Sequence, residues 1–298
     1  MSLLSSTQGT PDRVLSLLQV LAAHDGQMAR ADLLAWLDPP FIQATPRAII
    51  SPAAEQTLAA ALSLNFVSQE DGRCRINDGL EFASLYDLAD LTHERLLSLN
   101  SEHADAVLPQ AFAYIVARSE QAKGTAWLHA ATNKALADAL NTVLPRRVNT
   151  AAEGRRFNEY KFAPFWRWMI LIGLALDLPG DGPHPYVSSR LARELAHSDF
   201  PRGEQIPIRR FLEVISERMP YLDGGALYNS AAEKLGLPTK GRAVSPILST
   251  ALRDLDEEGV LALGSLTDAA GLVNLADDRF SRIKAVQFVT LPAERADA

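Results

Sequence analysis

Apolar residues near the start of the chain recur with the spacing of amphipathic helices. They fall at Val14, Leu17 and Leu21 in a first segment, and this spacing places them on one helical face. A second helix is predicted up to the proline pair at 39–40, because proline cannot donate a backbone hydrogen bond. Proline is favoured in a first turn, so a third helix is predicted over residues 52–64.

A β-hairpin is predicted directly after these three helices. Two short extended runs, Phe66-Val67-Ser68 and Cys74-Arg75-Ile76, flank the turn signal Asp71-Gly72. Three helices followed by a hairpin are the element order of a winged helix-turn-helix. We therefore predict an N-terminal winged-helix-like domain over residues 1–80.

The third helix of this domain decides whether the domain reads DNA. In a helix-turn-helix that helix enters the major groove, where arginine, lysine, asparagine and glutamine contact base edges. Residues 52–64 contain no arginine or lysine and offer only Glu55, Gln56, Thr57 and Ser63. The pattern favours a small packing or docking domain, and direct DNA reading stays open as the alternative.

Residues 81–180 are predicted to be a helical middle region. Leucines recur at helical spacing up to about residue 140, and a dense aromatic run then begins at Phe157. The run continues into apolar residues from Trp168 to Leu178. Because these are apolar all round, a buried helix is expected to continue to Leu178.

The C-terminal part repeats the pattern of the N-terminal part. Loops are predicted at 178–183 and 201–207, and a helix capped by Ser245 and Pro246 runs to a glycine and strand-like segments. We predict a second winged-helix-like domain over residues 181–298. The expected fold class is mainly α, with two winged helix-turn-helix-like units joined by a helical middle region.

Charge is unevenly distributed along this acidic chain, whose formal net charge is −7. Only residues 145–219 are net positive, with 12 basic and 9 acidic residues. Cations that bunch in an otherwise acidic chain are the first place to look for polyanion binding. The predicted nucleic-acid-binding residues, including a second patch near the C-terminal third helix, are Arg146, Arg147, Arg155, Arg156, Lys161, Lys240 and Arg242.

Aromatic residues interleave with the first of these basic groups. Such a pattern is typical of single-strand nucleic-acid binding, of protein interfaces or of simple core packing. All three interpretations stay open, and the candidate protein-interface residues are Tyr160, Phe162 and Trp166.

Motifs for catalysis, metal binding and membrane insertion are missing from the sequence. There is no phosphate-binding glycine loop, no GxSxG and no HExxH. No two of the six histidines are spaced to lie on the same helical turn, so each is expected to have no histidine neighbour. No apolar run approaches a membrane helix, the start does not resemble a signal peptide, and Cys74 is the single cysteine. We expect a cytoplasmic protein with no cofactor, no metal, no membrane contact and no small-molecule ligand.

Short segments of the chain resemble a known family. The opening Met1-Ser2-Leu3-Leu4, the segment Pro11-Asp12-Arg13-Val14-Leu15, the winged-helix start and Phe157-Asn158-Glu159-Tyr160-Lys161-Phe162 look like the DpdG-type proteins. Those are encoded in bacterial clusters that insert deazapurines into DNA or restrict foreign DNA. The resemblance implies an accessory protein of a multi-protein DNA-modification or phage-defence system, and it supplies no catalytic residues.

The leading functional hypothesis is therefore a non-enzymatic subunit that docks onto protein partners of the same system and helps engage DNA. One alternative is a pure protein adaptor without nucleic-acid contact. Another is a dimeric winged-helix transcription regulator, and an enzyme of unrecognised type also stays open because a spatial site need leave no local pattern.

Overall fold

A computed structural model of the chain describes residues 2–39, 52–145, 156–238, 243–266, 271–276 and 282–293. Within these ranges the chain is mainly helical, which confirms the mainly α part of the predicted fold class. None of the helices described there is long and apolar enough to cross a membrane.

Helices and strands alternate along the chain. The helices are α1 (Pro11–Ala22), α2 (Arg30–Leu37), α3 (Pro52–Ser63), α4 (Leu85–Ser98), α5 (Val107–Ala122), α6 (Ala126–Ala130), α7 (Asn133–Val143), α8 (Phe162–Leu171), α9 (Ser188–Ala196), α10 (Ile208–Arg218), α11 (Ala226–Lys234) and α12 (Pro246–Glu257). The strands are β1 (Gln27–Ala29), β2 (Val67–Glu70), β3 (Arg73–Ile76), β4 (Ala175–Leu178), β5 (Gly182–Pro185), β6 (Gln205–Pro207), β7 (Ala262–Gly264), β8 (Val273–Asn274), β9 (Ala285–Val286) and β10 (Phe288–Thr290).

Two compact units make up the chain. The first unit consists of Met1–Leu108 and Arg147–Ile172, and the second consists of Pro109–Arg146 and Gly173–Ala298. The middle region predicted at 81–180 is thus shared between the two units.

The first unit is built around α1. Val14, Leu17, Leu18 and Leu21 are fully buried, and α1 packs against α2, α3, α4 and α8. A three-stranded antiparallel sheet of order β1–β3–β2 closes the unit, with Met28 opposite Cys74. The predicted hairpin is present as β2 and β3. The additional strand β1 carries too few residues for a period-2 pattern to be recognised.

The second unit contains a sheet with the same order of strands. Its antiparallel arrangement is β6–β10–β7, with Val289 opposite both Ile206 and Leu263. Helix α12 packs against α9 and β7. Counted from α9, the second unit repeats the order helix, strand, helix, helix, strand, strand of the first, with α11 and the hairpin β8–β9 added.

Two further sequence predictions are wrong. The helix expected to continue to Leu178 ends at Leu171, and a hairpin of β4 and β5 follows. Gly173 adopts a φ of 78°, a left-handed conformation that ends helices and favours glycine. A Cβ there would also lie 3.1 Å from the backbone nitrogen of Arg190. The second error is the loop expected at 201–207, which includes strand β6.

Candidate functional site

The predicted basic residues are only partly within the described chain. Arg156 and Lys161 are described, whereas Arg146, Arg147, Arg155, Lys240 and Arg242 lie outside the described residues. The structure therefore gives a position to two of the seven predicted nucleic-acid contacts.

Arg156 is a buried structural residue, which contradicts its predicted role as a surface contact to phosphate. Its side chain is 6% exposed, and its guanidinium donates to the backbone carbonyls of Ser101 (3.2 Å) and His103 (2.7 Å). Lys161 Nζ donates in turn to the carbonyl of Arg156 at 2.7 Å. Because a buried charge needs partners, these bonds fix the segment in front of α8 within the first unit.

The three predicted interface aromatics have three different environments. Tyr160 is 75% exposed, whereas Phe162 is buried with its ring centre 4.7 Å from that of Phe157. Trp166 is half-buried, and its ring lies 5.0 Å from that of Phe165. Core packing explains Phe162, so the interface prediction for that residue is wrong, and Tyr160 is the most exposed of the three.

Helix α3 occupies the place of the third helix in the first unit, and its polar residues are used inside the protein. Glu55 pairs with Arg30. The side chain of Gln56 accepts from the backbone N–H of Gln8 at 2.8 Å. Gly9 lies so close that a Cβ on it would be 2.5 Å from the carbonyl oxygen of Gln56. The N-terminal segment of the chain thus covers this side of α3.

A buried carboxylate holds the C-terminal end of α3. Asp105 is fully buried and accepts from the backbone N–H of Leu3 at 2.8 Å and from the hydroxyl of Ser63. Burial raises the pKa of Asp105, while these hydrogen bonds act in the opposite direction. Asp105 therefore ties the N-terminal segment to α3.

Helix α3 borders a cleft of about 480 Å³. Its lining mixes apolar residues with polar and charged ones: Arg30, Glu55, Leu58, Ala59, Leu62, Ser63, Gln69 and His103. Leu58 and Ala59 are themselves buried, so α3 exposes little apolar surface there.

Helix α12 occupies the corresponding place in the second unit and is almost completely enclosed. Thr250 and Glu257 are its exposed residues. Its buried residues include Ile247, Leu248, Ser249, Ala251, Leu252, Arg253 and Leu255.

The hairpin β8–β9 lies against the polar side of α12. Ser249 Oγ accepts from the backbone N–H of Ala276 at 2.9 Å. The guanidinium of Arg253 donates to the carbonyls of Ala276 (2.8 Å) and Ile283 (3.0 Å). Ser249 and Arg253 are thus bonded to backbone of the same chain, whereas Thr250 stays exposed.

A second buried carboxylate holds the N-terminus of α12. Asp223 accepts from both the backbone N–H and the hydroxyl of Ser245, each at 2.6 Å. The residue is partly exposed but its carboxylate is buried. Burial, reinforced by the Glu120 carboxylate, raises the pKa of Asp223 to about 6, against the hydrogen bonds from Ser245.

The prediction that every histidine stands alone is wrong for one pair. His129 Nε2 and His184 Nδ1 lie 3.4 Å apart in the second unit. The two residues are 55 positions apart, so no local spacing could have indicated the contact. Among the residues that the structure describes, no group of three or more His, Cys, Asp or Glu side chains is arranged to hold a metal ion.

Comparison with known proteins identifies the family. No curated protein and no solved structure matches this chain. The family model described as DpdG-like matches residues 1–269 of the 298, which is nearly the whole chain and includes both third-helix positions. The chain therefore belongs to the DpdG-like family.

Proposed function

We propose that the chain is a non-enzymatic accessory subunit of a DNA-modification system whose main task is to dock onto the other proteins of that system. Membership of the DpdG-like family suggests an accessory subunit that associates with other proteins. The proposal assigns no reaction to the chain itself.

In this proposal the docking subunit is built from two winged-helix-like units. Each unit has the order helix, strand, helix, helix, strand, strand, and in each the first strand pairs with the last. This order supports the winged-helix assignment made from the sequence.

The covered third helices are the single observation that carries the docking role. A recognition helix must present side chains to base edges in the major groove. The polar residues of α3 bind Arg30, the N-terminal segment and Asp105, and α12 is enclosed by β8–β9. The same observation counts against a dimeric winged-helix transcription regulator.

DNA engagement is a second candidate role, which a different observation favours. The net positive block at 145–219 stands out in a chain of net charge −7, and cationic clusters supply salt-dependent binding to phosphate. In this proposal Arg146, Arg147 and Arg155, with Lys240 and Arg242 as a second patch, contact the DNA backbone after docking.

Co-expression tests the docking role. The chain is produced with the proteins encoded beside its gene, treated with nuclease, and analysed by size-exclusion chromatography with light scattering. The proposal predicts a stoichiometric complex with at least one of these proteins that survives nuclease. A chain that stays alone with every neighbour, yet binds duplex DNA sequence-selectively, would contradict it.

Charge reversal separates the two roles. Arg146→Glu combined with Arg147→Glu is expected to weaken DNA binding by the complex and to leave the complex itself intact. Loss of the protein complex in this variant would instead assign the two arginines to the protein interface.

A further inference from the structure

Two histidines of the second unit face each other with their ring nitrogens. His129 lies in α6 and His184 in β5, and Nε2 of the first is 3.4 Å from Nδ1 of the second. The ring centres are 5.7 Å apart and the ring planes differ by 3°. The distance between the ring centres equals the nitrogen–nitrogen distance plus the distance from centre to nitrogen within each ring. The nitrogens therefore lie on the line between the ring centres, and the rings meet edge to edge.

The element that carries His129 is fixed to α5 through its neighbour Trp127. The indole Nε1 donates to Ser119 Oγ at 3.1 Å. The guanidinium of Arg118 lies 5.9 Å above the indole ring, and the ring of Tyr114 approaches it edge-on at 6.1 Å. The five-residue helix α6 is thereby held in place, while the His129 side chain at its end is exposed.

The strand that carries His184 is fixed by pairing. His184 is opposite Leu176 in the antiparallel hairpin of β4 and β5, and its side chain is half-buried. Two separately anchored elements thus present one imidazole each to a common point.

The charge near this pair suits a cation. The carboxylate of Asp181 interacts electrostatically with His184. A metal ion binds an imidazole through the lone pair of a neutral ring nitrogen, and negative charge close to the pair favours a cation.

We propose that His129 and His184 together bind a divalent transition-metal ion of the class that prefers imidazole, such as zinc, copper or nickel. Two imidazole nitrogens bound to one tetrahedral zinc ion lie about 3.3 Å apart, given the usual zinc–nitrogen distance. The separation of 3.4 Å is close to this spacing, but an ion on the line between the nitrogens would be about 1.7 Å from each, too short for a zinc–nitrogen bond. A tilt of the exposed His129 ring moves the meeting point of the two lone pairs off this line, where an ion reaches bonding distance from both nitrogens and water completes the coordination. A bound ion would join α6 to the hairpin of β4 and β5.

Copper binding to the full-length chain without an affinity tag tests the site. Isothermal titration gives the number of ions bound, and electron paramagnetic resonance of Cu²⁺ reports how many nitrogens are bound to it. The proposal predicts one saturable ion per chain with two nitrogen ligands, displaced by excess Zn²⁺. Binding is expected to weaken as the pH falls below about 6, since protons then compete for the imidazoles.

Matched histidine variants locate the ion. His129→Gln and His184→Gln are each expected to abolish the saturable binding. His24→Gln and His197→Gln serve as controls, because both are exposed histidines whose Nδ1 contacts a backbone carbonyl four residues earlier. Binding that persists in both site variants would overturn the proposal, and so would a complete lack of saturable binding by the wild-type chain. In either case the contact would be only an N–H···N hydrogen bond.

Discussion

The two units share a strand order but cover their third helices with different parts of the chain. In the first unit, the segment that precedes α1 lies against α3 and is tied there by Asp105. In the second unit, the hairpin β8–β9 that follows α12 is tied to it by Arg253. The two helices are therefore covered from opposite directions along the chain, by the preceding segment in the first unit and by the following hairpin in the second.

The largest effect on stability is expected when a leucine inside each third helix is truncated. Leu58 in α3 and Leu248 in α12 are 2% and 0% exposed. If both helices are core elements, Leu58→Ala and Leu248→Ala each lower the free energy of unfolding by about 2–5 kcal/mol. Urea denaturation measures both losses. Leu266→Ala is the control, because this residue is 61% exposed and its loss should cost less than about 0.5 kcal/mol.

The residues that tie down the two covering segments offer a second test. Asp105→Ala removes the acceptor of the hydrogen bonds from Leu3 and Ser63, and Arg253→Met removes the donor to the carbonyls of Ala276 and Ile283. Each change should cost about 1–3 kcal/mol, since buried polar groups lose their partners. Hydrogen exchange should accelerate in the N-terminal segment of the first variant and around β8–β9 in the second. Hydrogen exchange that accelerates evenly over the whole chain would contradict the idea that each residue holds only its own covering segment.

The pH dependence of stability tests the buried carboxylate Asp223 at the N-terminus of α12. A carboxyl group whose pKa is raised on folding binds its proton more tightly in the native state. Its contribution therefore favours folding at about pH 4 and is lost as the pH rises to about 6, the pKa of Asp223. The change is expected to be on the order of 1–2 kcal/mol. Urea denaturation between about pH 4 and pH 6 measures this contribution. The loss in the free energy of unfolding as the pH rises should be smaller in Asp223→Asn than in the wild type. An equal loss in both proteins would contradict a raised pKa of Asp223.

The smallest effect is expected at the exposed hairpin of the first unit. The Arg75–Asp78 contact is 3.5 Å long between side chains that are 66% and 94% exposed. Because surface ion pairs contribute little, Arg75→Ala should change the free energy of unfolding by less than about 0.5 kcal/mol. A larger loss in urea denaturation would mean that this hairpin is packed more firmly than its exposure indicates.

Elements with strong local signals could be predicted from the sequence. The leucine spacing in α1 and the Ser245-Pro246 start of α12 have local physical causes. So does the Asp71-Gly72 turn between β2 and β3. Strands β1 and β6 could not be predicted, because three residues show no periodicity and both strands depend on partners far along the chain.

Candidate site residues were harder to predict than the fold. Arg156 looks like a solvated cation in the sequence, but its partners are carbonyls more than fifty residues away. The contact between His129 and His184 likewise depends on how α6 and the β4–β5 hairpin pack. In both cases the sequence gives the residue type, and only the tertiary structure gives its environment.

Binding of duplex DNA to the purified chain most directly tests the claim that the third helices do not read bases. Fluorescence anisotropy at about 50 and 200 mM salt reveals the phosphate contribution. Gln56→Ala in α3 and Thr250→Ala in α12 are compared with the pair Arg146→Glu and Arg147→Glu, after thermal unfolding confirms that each is folded. The account predicts that the two helix variants bind like the wild type and show no sequence preference. Sequence-selective binding that either helix variant abolishes would contradict it.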